Sequence, residues 1–248
     1  MEKERLLLIT GQLGIGKTTL ADVLLLTKAR DSYQIFKVVD VEEAEKMISP
    51  DDELKQIFYF DDFLGEVYYE IISGSKNESQ ITSFVNRIRD TPNKYLVLTT
   101  RTIILNQALN VSEKLTRSGL PYHKFELKLS DYSKLDKAKI LYNHLYFNEV
   151  REDLYQVVLQ DKFYSKIIIH PNYTPRIIDF ITGKFQINNL SPEQYHDFII
   201  SNLNNPKEIW SMSFQNQIKY FDRILLLICF RFKGVLKKKI YFPHLKTI

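Results

Sequence analysis

Residues 11–18 read Gly11-Gln12-Leu13-Gly14-Ile15-Gly16-Lys17-Thr18, an octet whose residue types suit the binding of a polyphosphate. Gly11, Gly14 and Gly16 let the backbone curl so that successive N–H groups point inward at an anion. Lys17 can reach β- and γ-phosphates, and the Thr18 hydroxyl can take one Mg²⁺ position. The amides of Gln12, Leu13, Ile15 and Thr19 would complete the cradle, helped by the positive end of the helix that follows. Such octets arise by chance. This one lies directly between an apolar run (Leu6-Leu7-Leu8-Ile9) and a helix-forming run (Thr19-Leu20-Ala21-Asp22-Val23-Leu24), the context that the chemistry needs.

Two further places carry complementary groups. Ile57-Phe58-Tyr59-Phe60 is followed by Asp61-Asp62, some 45 residues beyond Lys17. An isolated acidic pair is more often a solvated turn. At the end of a buried strand, Asp61 would hold the Mg²⁺ shell and Asp62 would orient or deprotonate an attacking water. Leu96-Val97-Leu98 runs into Thr99-Thr100-Arg101. A lone Arg after a strand is usually a surface charge, but here its guanidinium could sense a γ-phosphate by bidentate bonding. Ligands of open parallel sheets sit outside the carboxyl ends of the strands, so all three places should converge.

The elements that must position these groups follow from patterning. Apolar runs at 5–10, 33–39, 56–62, 95–101 and 123–129 predict strands of a parallel sheet. Helices at 18–26, 42–48, 84–90 and 102–115 alternate with them. Beyond residue 130 only helices are predicted, at 133–147, 151–160, 175–182, 192–202 and 207–232. The expected organisation is an α/β core over 1–130, a helical lid over 131–232 and a basic irregular tail over 233–248.

The 248 residues are 44% hydrophobic and 26% charged, as in an ordinary globular protein. A net charge of +4 is too mild to argue nucleic-acid binding by itself. The single cysteine, Cys229, sits in an apolar run and excludes an internal disulfide, which points to a reducing cytoplasm. Met1-Glu2-Lys3-Glu4-Arg5 reads directly into the first strand, so no leader is expected. The apolar stretch 224–230 is too short to span a bilayer.

Together these residues resemble the STAND class of signal-transduction ATPases, relatives of the AAA+ proteins, and within it the novel STAND NTPase 3 subfamily. The resemblance runs from about residue 5 to 232 and rests on Gly11–Ala21, Phe58-Tyr-Phe-Asp-Asp-Phe-Leu-Gly65, Leu98-Thr-Thr-Arg101, Lys137–His144 and His170–Ile178. It implies a P-loop NTPase core followed by an all-helical lid, with the beginning of a winged-helix module at its end. It also implies that Pro175-Arg176 lies near the nucleotide, with Arg176 reaching from the lid toward the phosphates. His144 and His170 are expected to be structural. The repeat sensor and effector domain usual in the class are not visible in this chain.

The expected activity is that of a slow ATPase acting as a molecular switch, with ATP and Mg²⁺ as ligands, in assembly or in prokaryotic defence signalling. Self-association or an effector protein would be its partner. An AAA+-type DNA-associated initiator or loader shares the core, but the dispersed lysines give it no basic face outside the tail. A small-molecule kinase and a non-catalytic scaffold fit less well, since neither calls for the paired acids.

Overall fold

The computed structural model describes residues 5–65 and 77–206, together with residues 209, 223, 224 and 228. Five strands form one parallel sheet: β1 (Leu6–Gly11), β2 (Gln34–Lys37), β3 (Gln56–Phe60), β4 (Lys94–Arg101) and β5 (Lys124–Leu127). Their spatial order is β2-β3-β4-β1-β5. Leu6 to Gly11 of β1 pair in register with Leu96 to Arg101 of β4, and Gln56 to Phe60 of β3 pair with Lys94 to Leu98. The carboxyl ends of β1, β3 and β4 are therefore neighbours.

The strands read as unbroken apolar runs because both faces of the sheet are covered. Leu6, Leu8, Phe58, Phe60, Leu96 and Leu98 face a core shared with Ile81, Phe84, Val85 and Ile88 of helix α3 (Asn77–Asp90). Phe58 meets Phe84 edge-on at 5.8 Å. Ile9, Ile57, Tyr59, Tyr95 and Val97 face the other way, against Ala21 and Leu25 of α1 (Lys17–Arg30). Burying each such side chain is worth about 1.5–3 kcal/mol. A seven-residue helix, α2 (Val41–Met47), is fixed by its cap: the Asp40 carboxylate accepts from Glu43 N, and Glu43 accepts from Val39 N.

The helix expected over 102–115 divides in two. α4 (Thr102–Val111) ends at Ser112, whose hydroxyl accepts from Leu115 N and starts α5 (Glu113–Arg117). Ser112 is 3% exposed, so the break is a buried cap rather than a solvent turn. The periodicity of apolar residues runs through it, which is why the sequence suggests one helix.

Among the described residues up to 206, six more helices follow: α6 (Lys134–Phe147), α7 (Glu152–Leu159), α8 (Phe163–Ile169), α9 (Pro175–Thr182), α10 (Lys184–Ile187) and α11 (Pro192–Asn204). α8 and α10 are absent from the sequence expectations. The predicted helix 207–232, Cys229 and the basic tail lie outside the described residues, apart from the isolated positions above. By contacts, the described residues up to Asn143 form one compact unit together with Thr174–Ile178. His144–Tyr173 and the described residues from Asp179 onward form the other. Within the second unit α7 packs on α11, and Leu154, Val158, Tyr195, Ile199 and Leu203 are buried. α11 opens with Pro192 and a capping box between Ser191 and Gln194. His170 bonds Asn204 and Asn172, a structural role. Among the described residues no helix is long and apolar enough to cross a membrane.

Candidate active site

β1 ends at Gly11, and residues 12–16 form the turn that starts α1 at Lys17. Gly14 (φ +72°) and Gly16 (φ +100°) adopt backbone conformations that side chains disfavour. Gly16 caps α1 with no side-chain bond, so the first amides of the helix are left facing the loop. Ile15 is buried while Gln12, Leu13 and Thr19 are exposed, so the loop is anchored at its middle and open along its rim. Lys17 Nζ donates to the Gln12 carbonyl at 3.0 Å, which folds the ammonium back over the loop. Burial lowers the Lys17 pKa, and the nearby Arg101 lowers it further, against the opposing pull of Asp62 and Asp61.

The acidic pair leaves β3 beside the end of β4. Asp61 Oδ1 accepts from the Thr18 hydroxyl at 3.0 Å and from the Thr99 hydroxyl at 2.7 Å. Burial pushes the Asp61 carboxyl up. Hydrogen bonds from Thr99 and Thr18, the nearby Tyr59 hydroxyl and Lys37 outweigh it, and hold the pKa below the usual aspartate value. Tyr59 is buried and its hydroxyl makes no hydrogen bond of good geometry, so its effect on Asp61 is one of proximity. Burial raises the Tyr59 pKa, and Asp61 raises it further. Thr99 also accepts from Asp62 N at 2.9 Å, so one hydroxyl fixes both acids. Asp62 itself has φ +47°, and it turns its carboxylate onto Arg101, 2.7 Å away.

Arg176 lies in the same compact unit as the loop. Its side chain covers Gly14 so closely that a Cβ added there would lie 2.7 Å from Arg176 Cβ. Lys17, Thr18, Asp61, Asp62, Arg101 and Arg176 are therefore gathered at the carboxyl end of the sheet. Thr99 belongs to the segment flagged from sequence, but its double role does not follow from its residue type. Its signal is a hydroxyl emerging from a buried strand in register with the acids.

Several buried polar atoms here have no partner in the protein. They are Asp62 Oδ1, Arg101 Nε, Thr10 Oγ1 and Thr100 Oγ1, of which Thr10 and Thr100 are paired across β1 and β4. Unpaired buried groups cost about 1–3 kcal/mol each, so their clustering at one end of the sheet suits a polar ligand. Mg²⁺ takes oxygen ligands and keeps much of its water. The Thr18 hydroxyl and the Asp61 carboxylate offer it an oxygen pair already within bonding distance of each other. Among the described residues no group of three or more His, Cys, Asp or Glu converges as an all-protein metal cage.

The family model described as novel STAND NTPase 3 matches residues 1–147. No curated protein matches. Among solved structures, the fold is similar to that of C. elegans PCH-2, with a TM-score of 0.50 at 14% identity. That alignment covers 83% of this chain and 61% of the other, so this chain spans about three fifths of that protein's length. The likeness is one of fold.

Proposed function

The chain belongs to the novel STAND NTPase 3 family, and on that premise we propose that it binds ATP with Mg²⁺, hydrolyses it slowly and acts as a nucleotide-controlled switch. The observation that carries this is the 3.0 Å hydrogen bond between Thr18 and Asp61. It joins the start of α1, just past β1 and the phosphate loop, to the first acid, just past β3; the two are 43 residues apart and β4 lies between their strands.

In this scheme Lys17 exchanges the Gln12 carbonyl for phosphate oxygens, a stronger, charge-assisted partner. Thr18 and Asp61 would hold Mg²⁺, which when bound neutralises charge on the β- and γ-phosphates. Arg101 shifts from Asp62 to the γ-phosphate. The released Asp62 carboxylate then orients a water and accepts its proton as the water oxygen bonds the γ-phosphorus and the bond from that phosphorus to the β–γ bridging oxygen breaks, giving phosphate and ADP. Thr99 keeps Asp61 and Asp62 in place throughout. Arg176, lying on Gly14, would read the state of the loop and pass it to the helical part of the chain. A role in assembly or defence signalling extends the same proposal by family likeness.

The test separates binding from turnover. ATP affinity and phosphate release are measured for the parent, Lys17→Ala and Asp62→Asn. Lys17→Ala should lose binding, whereas Asp62→Asn should bind ATP and fail to release phosphate. Binding that is indifferent to Lys17 would remove the site assignment.

A further inference from the structure

Tyr132 stands outside every motif above, yet its hydroxyl donates to the Ile15 carbonyl at 2.9 Å across 117 residues of sequence. The bond reaches the middle of the phosphate loop. Its partner residue Ile15 is 2% exposed, so the contact is made at the loop's buried anchor. Tyr132 is brought there by a short path. β5 pairs with β1 so that Leu127 lies beside Gly11. A 3₁₀ turn at Leu129–Asp131 follows, closed by Lys128 N donating to Asp131 and by Tyr132 N donating to the Leu129 carbonyl. Tyr132 leaves this turn facing the loop.

The consequence follows from peptide geometry. A trans peptide is planar, with its C=O and N–H pointing in opposite directions. The Ile15 carbonyl belongs to the same peptide as the Gly16 N–H. Holding that carbonyl toward Tyr132 therefore directs the Gly16 N–H to the opposite side of the peptide, the side on which the proposed phosphate cradle would lie. Gly16 has no capping side chain to fix this peptide, and its left-handed φ of +100° leaves alternatives open. A donor on the carbonyl also polarises the amide and strengthens its N–H as a donor to an anion.

We propose that Tyr132 is a positioning residue for the triphosphate, acting through the Ile15–Gly16 peptide without touching the nucleotide. The inference rests on the proposed nucleotide site, and its test keeps the two apart. Binding of ATP and of inorganic tripolyphosphate is measured for the parent, Lys17→Ala and Tyr132→Phe, which keeps the ring and removes only the hydroxyl. Hydrogen exchange over residues 11–18 is measured in the same proteins without ligand.

Tyr132→Phe should weaken ATP and tripolyphosphate by the same factor, about fivefold, the worth of one hydrogen bond. It should leave the turnover of bound ATP within about twofold, because the acids are untouched. Exchange in the loop should quicken. Unchanged affinity for both ligands, or unchanged loop exchange, while Lys17→Ala loses binding would overturn this inference and leave the site intact. A loss confined to ATP would also overturn it, since the tyrosine would then be acting on the nucleoside. Full binding by Lys17→Ala would overturn the site, and this inference with it.

Discussion

Arg101 donates to Asp62 at 2.7 Å, so the cation proposed to sense a γ-phosphate and the carboxylate proposed to activate water neutralise one another. Both side chains are well exposed, at 44% and 41%. Ion pairs in such settings contribute about 0–1 kcal/mol. A triphosphate, offering several charged oxygens, can therefore displace Asp62 from Arg101 at little cost. Meanwhile Arg101 Nε and Asp62 Oδ1 are buried without partners, so each group has bonding capacity in reserve.

Removing the guanidinium should expose its part in sensing. Arg101→Ala is expected to weaken ATP binding about tenfold while shifting the unfolding free energy by less than about 1 kcal/mol. Arg101→Lys should recover only part of the affinity, because an ammonium lacks the planar fork. Titration calorimetry with ATP, paired with urea unfolding, reads both quantities.

Asp62→Asn keeps the shape of the side chain and removes the base. Phosphate release should fall by about 10²–10⁴-fold, the usual range for a positioned acid–base group. ATP affinity should stay within a few-fold of the parent. A matched loss of affinity and rate would assign Asp62 to binding instead.

Asp61 sets a pH dependence whose sign is fixed by its surroundings. Its folded-state pKa is depressed, burial being outweighed by the hydrogen bonds from Thr99 and Thr18 and by Tyr59 and Lys37. The stabilisation is therefore fully present above the ordinary aspartate pKa and is lost as pH falls through the lower folded value. The difference in melting temperature between the parent and Asp61→Asn should be flat from about pH 8 to about pH 5 and should shrink below about pH 4. A difference that changed near neutral pH would point to another group.

Lys94 offers a test of the fold away from the site. It is fully buried at the start of β4 and donates to the carbonyls of Asp51 and Leu54 at 2.7 and 2.8 Å. Lys94→Met fills similar space and strands both carbonyls, so it should cost about 2 kcal/mol or more in urea unfolding. It should leave ATP affinity unchanged.

What could be read from the sequence was set by local chemistry. Gly11 to Thr18 declare themselves because each residue type answers one need of the loop, and the strands at Ile57–Phe60 and Leu96–Leu98 because burial on both faces makes them uniformly apolar. Ser112 hid its break, since a cap is a hydrogen bond and leaves the apolar spacing intact. α8 starts after Asp161 and Lys162, two non-glycine residues at positive φ, and so has no glycine to announce it. Lys94 resembles any strand-end lysine until the loop that it ties down is known. The Tyr132 bond is tertiary, and nothing near either residue encodes it.

The central claim is that the ends of β1, β3 and β4 form one hydrolytic site, and single-turnover hydrolysis tests it most directly. Parent protein in excess over γ-labelled ATP is followed for phosphate release with Mg²⁺ and with a chelator, beside Asp62→Asn. Labelled phosphate should appear only for the parent with Mg²⁺, while Asp62→Asn holds its ATP intact. Bound ATP recovered unchanged from the parent under every condition would contradict a catalytic site and leave a nucleotide-binding scaffold.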